Sequence, residues 1–196
     1  MQDAGAVFLA ARITALVSLR ILDVSYNGIG GHGAQTLGQK LALLTCLEVL
    51  RAGGNGQAQE SPPSVRMMDI TADSACGYIP LDFGAGLGST LGEMLCLQDL
   101  DLSCCGISTG TGKYIMNQVA RLTALTQLDM SGNAMDADAV NSVYVRAMMC
   151  PALKAIHLGG NCDALSHWDS IESAMEGCSM WNRDFTWMCE TDETDA

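Results

Sequence analysis

At 196 residues, 48% hydrophobic, 16% charged and only 5% aromatic, the chain can bury a core and is not disordered as a whole. Its formal charge is −12 at pH 7, and its ten Lys and Arg form no cluster, which argues against a nucleic-acid backbone and for a partner with a basic or neutral surface. No stretch approaches the roughly 18 apolar residues of a membrane span, and the start Met1-Gln-Asp3 lacks the basic region of a secretory signal. The chain therefore reads as cytoplasmic or from another reducing compartment, with organelle import left open.

In chain order, residues 4–16 read as a helix with no strand before it, so the fold opens without an obvious cap. Next comes Leu19-Arg-Ile-Leu22-Asp-Val24-Ser-Tyr-Asn27, a frame that returns at Leu47 to Asn55, Leu97 to Cys105, Leu125 to Asn133 and Leu153 to Asn161. Three of the four intervals between those first leucines are 28 residues. Alternate apolar residues within each frame predict a short strand with one face turned inward. Counting back from each first leucine, the third, sixth and tenth residues are apolar, as Leu44, Leu41 and Leu37 illustrate. Those steps predict an amphipathic helix ahead of every strand. The residue just before the leucine is small (Ser18, Cys46, Cys96, Ala124, Ala152), which suits a closely packed turn from helix to strand.

The interval from Leu47 to Leu97 is 50 residues, an anomaly that admits two readings. Val65-Arg-Met-Met68-Asp-Ile70-Thr-Ala-Asp73 fits the frame and predicts a sixth, irregular strand within about 56–84, after a repeat stripped of its helix around Ser61-Pro62-Pro63. The alternative is one long insertion from about Gly56 to Gly84. We favour the extra strand. Beyond Asn161 the pattern fades, which divides the chain into a repeat region over 1–165 and a C-terminal segment over 166–196 that ends in an acidic tail. Ser166 can cap a helix running to Glu176. All three tryptophans (Trp168, Trp181, Trp187) lie in this segment and are expected to cover the last repeat, or else to anchor a partner.

The LxxLxLxxN/C frame, with 28-residue spacing and a full helix per unit, resembles the leucine-rich repeats of the ribonuclease-inhibitor class. The resemblance covers roughly residues 5–165. It implies an α/β solenoid, a right-handed β-α superhelix with parallel strands on a concave face and helices on a convex one. It also implies that Asn27, Asn55, Cys105, Asn133 and Asn161 stack as a ladder. The same class includes repeat regions of NOD-like receptors and of the Ran GTPase-activating protein.

Candidate chemistry is sparse. Cys46, Cys96, Cys105 and Cys150 stand at small or apolar repeat positions and read as reduced structural thiols. There is no CxxC, no ligand pair at zinc spacing and no GxSxG, and the glycine runs at Gly84–Gly88 and Gly110–Gly112 lack phosphate-loop spacing. We expect no metal, no cofactor and no enzymatic activity. The sheet face is more informative. Asp23, Arg51, Asp69, Asp99, Asp101, Gln127, Asp129 and His157 are expected to point away from the core, forming an acidic stripe lined with small polar groups. The sequence thus predicts a non-enzymatic protein-interaction module or a small scaffold subunit of a larger assembly, held to its partner by the stripe. The alternative is a GTPase-activating-protein-like regulator or a sensor fragment of the same repeat class.

Overall fold

The computed structural model describes residues 1–56 and 82–161, together with the backbone of a short strand at 186–187. Helix and strand alternate: α1 (Gln2–Ile13), β1 (Ile21–Asp23), α2 (Gly31–Leu41), β2 (Val49–Arg51), α3 (Phe83–Leu91), β3 (Asp99–Asp101), α4 (Thr109–Val119), β4 (Gln127–Asp129), α5 (Ala137–Met148), β5 (Ala155–His157) and β6 (Thr186–Trp187). The strands form one parallel sheet in chain order. This is the open α/β arrangement of a leucine-rich-repeat solenoid, as the spacing predicts.

The register explains why the frame repeats. Leu22, Leu50, Leu100, Leu128 and Ile156 are mutual partners across the sheet, and all but Leu22 are buried. Behind them lie the helix residues picked out by counting back, including Leu41, Leu91, Val119 and Ala147, so one continuous core runs the length of the stack. The later helices are started by side chains. Asp82 Oδ1 accepts from Ala85 N–H at 2.7 Å and Asp136 Oδ1 from Ala139 N–H at 2.8 Å, each occupying a donor that the first helical turn leaves open.

The asparagine ladder is present in full chemical detail. Asn55 Oδ1 accepts from the backbone N–H groups of Asn27 (3.1 Å) and Ile29 (3.0 Å), while its Nδ2 donates to the carbonyls of Val24 (2.9 Å) and Ala52 (2.8 Å). Asn133 does the same for Cys105, Ile107, Leu102 and Met130. One side chain thus satisfies four backbone groups in the turns of two repeats. Cys105 replaces the amide with a thiol that donates to the carbonyls of Ala52 and Ser103, each at 3.3 Å. Immediately before this ladder, the chain takes the left-handed conformation at Tyr26 (φ 55), Gly54, Cys104 (φ 51), Gly132 and Gly160. Two of those five positions therefore carry a side chain where glycine is the unstrained choice.

The frames on either side of the anomalous interval are immediate neighbours: β2 pairs directly with β3, Leu50 opposite Leu100. The helices close up in the same way. A Cβ added at Gly86 would collide with the carbonyl oxygen of Gly31, and one at Gly38 would lie 2.5 Å from Thr90 Oγ1. Backbone-to-backbone contact of this kind leaves α2 and α3 as immediate neighbours. Residues 57–81, Asp69 among them, fall outside the described residues. Where the two ends of that segment meet the fold, Phe83 is buried with its Cβ 2.9 Å from the Cβ position of Gly56. Other repeats carry a buried Ile29, Ile107 or Met135 two residues after the ladder position, whereas this one has Gln57 in sequence.

The two ends of the sheet differ. At the first, the Met1 ammonium donates to the Asn27 carbonyl (2.9 Å) and Asp3 Oδ1 accepts from Gly30 N–H (2.6 Å), which ties α1 to the first turn. Leu19 and Leu22 are nonetheless only partly buried, and Phe8, Val17 and Ile21 are exposed. At the other end, β6 pairs with β5, Trp187 in register with Ile156. Trp168, Trp181 and the expected helix from Ser166 to Glu176 fall outside the described residues, so the proposed division at residue 165 stays an expectation.

Candidate interaction face of the sheet

Strand alternation sends the residues flanking each central leucine to the face opposite the helices. One row across the strands is Asp23, Arg51, Asp101, Asp129 and His157; the row before it is Ile21, Val49, Asp99, Gln127 and Ala155. Seven of the eight residues expected in the stripe are thereby brought together on one face. Asp69 lies outside the described residues.

Three of the aspartates also have work in their own turns. Asp101 Oδ1 accepts from Ser103 N–H (2.9 Å) and Oγ–H (2.7 Å), and Asp129 Oδ1 does the same with Ser131 (2.8 and 2.6 Å). Asp23 Oδ1 accepts from Ser25 N–H at 3.0 Å. These bonds close the end of each strand. In the two strands that lack an aspartate there, Arg51 and His157 are followed two residues later by Gly53 and Gly159. The Asp-x-Ser pattern is therefore local turn chemistry as well as surface charge. Each of these carboxylates keeps a second oxygen that takes no hydrogen bond among the described residues.

The electrostatics single out the middle of the face. Partial burial raises the Asp99 carboxyl above its ordinary pKa; Arg51 and His157 oppose the rise, and Asp101 and Asp129 add to it. The fully exposed Asp23 shifts the other way, its charged form held by the backbone N–H and then the hydroxyl of Ser25. Arg51 is exposed and makes no ion pair within 4.0 Å among the described residues, where the single salt bridge is Arg20–Glu48 at 3.3 Å. Asp99, Asp101 and Asp129 thus form a patch of negative charge that no neighbouring cation neutralises at contact.

A family model described as Leucine Rich repeat matches residues 15–38 and 94–115. The first stretch spans β1 and most of α2, and the second spans β3 and the start of α4, so two separate repeats of the sheet carry the match. The chain carries leucine-rich repeats. Leucine-rich repeats in general serve as non-enzymatic modules for binding other proteins, through an extended surface built from successive units. In this chain no described helix is long and apolar enough to cross a membrane. Its ladder thiol, Cys105, is buried and its pKa is pushed up to about 12, chiefly by loss of hydration. Such a thiol stays protonated and is a poor nucleophile at neutral pH.

Two features of the leucine-rich-repeat surface escape the sequence reading. Tyr26 is 80% exposed at the rim of the face, in its left-handed conformation, with its ring lying over Gly54. Only the alignment of repeats could flag it, as the one aromatic residue in a column otherwise made of Gly and Cys. Cys46 and Cys96 are exposed, not packed in the turns as their small size suggests. Smallness at those positions reflects the tight turn, and the side chain still points to solvent.

Proposed function

We propose that this chain is a non-enzymatic protein-binding module of the ribonuclease-inhibitor-like repeat class, working as a scaffold subunit that holds a basic or neutral partner against the sheet face. The single observation carrying the reading is the Asp99, Asp101 and Asp129 patch on one face of the sheet, where Asp99 is held partly buried as a carboxylate at a cost. A cationic segment laid across the strands would relieve that cost. The 28-residue spacing and a full helix in every described repeat support the class assignment. Buried thiols at Cys105 and Cys150 suit a reducing compartment.

The test is affinity purification from native extract at low and high salt, using the wild type and an Asp101→Lys, Asp129→Lys double variant. Salt-sensitive retention of one partner, reduced at least tenfold by the double variant, is the expected outcome. Retention that is equal in both proteins and indifferent to salt would move the contact off this face, and with it the proposal.

A further inference from the structure

Cys46 and Cys96 occupy the same step of adjacent repeats, each one residue ahead of the first leucine of its frame. The pairing of Leu50 with Leu100 sets an offset of fifty residues between these repeats, the same offset that relates Cys46 to Cys96. Gln98 N–H donates to the Glu48 carbonyl at 2.7 Å, which carries the stacking to within two residues of both cysteines. The preceding turns match as well: Leu47 N–H donates to Leu44 O (3.2 Å) and Leu97 N–H to Met94 O (3.0 Å). Two like turns one strand spacing apart place the cysteine backbones about 5 Å from one another. That lies within the roughly 4.4–6.8 Å range that a disulfide spans between Cα atoms.

Exposure makes the pair chemically distinct. Cys46 and Cys96 are both open to solvent, whereas Cys105 and Cys150 are buried. The same step in the other repeats holds Ser18, Ala124 and Ala152, so no third thiol shares the column. Cys104, half-exposed, sits at the far end of β3. We propose that Cys46 and Cys96 form a reversible dithiol–disulfide site whose oxidant is a low-molecular-weight disulfide of the glutathione type. The thiolate of one cysteine attacks the small disulfide, forming a mixed disulfide and releasing one glutathione thiolate. The second cysteine thiolate then attacks the protein sulfur of that mixed disulfide and releases the other. Two protein thiols are oxidised, one glutathione disulfide is reduced to two glutathione molecules, and the two thiol protons pass to the departing thiolates. The bond staples the two repeats that flank residues 57–81, on the rim opposite Gly56 and Asp82.

The experiment uses the full chain, incubated with glutathione disulfide, alkylated, digested without reduction and read by mass spectrometry. We expect a peptide pair joining Cys46 to Cys96 as the dominant disulfide, absent after dithiothreitol treatment. Cys96→Ser should leave Cys46 carrying glutathione, and Cys46→Ser the reverse, with both variants matching the wild type by circular dichroism because the sites are exposed. The wild-type melting temperature should rise on oxidation and stay unchanged in either variant. The proposal is overturned if the wild type carries glutathione separately on both cysteines. It is equally overturned if Cys46 pairs elsewhere, or if both thiols stay free under conditions that modify Cys104.

Discussion

Replacing Asn55 with alanine would strip four backbone groups of their partners at once: two N–H donors at Asn27 and Ile29, and two carbonyls at Val24 and Ala52. Each buried group left unsatisfied costs about 1–3 kcal/mol, so Asn55→Ala should lose at least about 3 kcal/mol in urea denaturation. Asn55→Cys should lose clearly less, because Cys105 shows that a thiol can still donate to two carbonyls of the ladder. Equal losses in the two variants would mean that the ladder works by volume and not by hydrogen bonding. A second prediction concerns charge. Asp99 has a raised pKa in the folded chain, so its ionisation opposes folding at pH values above that pKa. Below about 3.9, the ordinary aspartate value, both states are protonated and the penalty vanishes. Asp99→Asn should therefore melt higher than the wild type at pH 7, with the gain shrinking as pH falls toward that value. A gain that persists at low pH would point to packing as its source.

At the scale of single elements, α3 is the irregular member, and its first residue decides how well it fits. Phe83 is among the largest fully buried side chains, so Phe83→Ala should cost about 3–5 kcal/mol, measured by the denaturation midpoint. A loss below 1 kcal/mol would show that the site collapses around the cavity. This element also marks the limit of what apolar spacing conveys. Spacing is local, whereas the side-by-side packing of α2 and α3 rests on Gly86 and Gly38, where a Cβ would meet the neighbouring helix. The regular strands were legible because inward leucines, helix periodicity and the ladder residue all agree on one register. The stripe was legible as a face, since alternation fixes which side each residue takes. Its double duty was not, because the Asp-to-Ser bonds depend on turn geometry that composition alone does not reveal. The exposure of Cys46 and Cys96 was hidden for a related reason: a small side chain fits a tight turn whichever way it points.

For the whole molecule, stability is shared between neighbours and thins toward an end. Leu22 at the edge strand is only partly buried, while its partner column Leu50, Leu100 and Leu128 is sealed from solvent. Leu100→Ala should cost about 2–5 kcal/mol and Leu22→Ala roughly half as much. Native-state hydrogen exchange should follow the same gradient, slowest in β3 and β4 and fastest in β1. Uniform protection across the sheet would instead require the array to unfold as a single cooperative block.

The meeting of Gly56 with Phe83 has a practical corollary. The chain leaves one repeat and rejoins the next at nearly the same point, between units that are already zipped together. A segment tethered at two such fixed and adjacent ends costs the host little as it lengthens, since each doubling of a flexible loop adds only about 0.6 kcal/mol. The seam is thus a ready port for grafting: a fluorescent domain or an epitope spliced there would ride on the solenoid without prying its repeats apart.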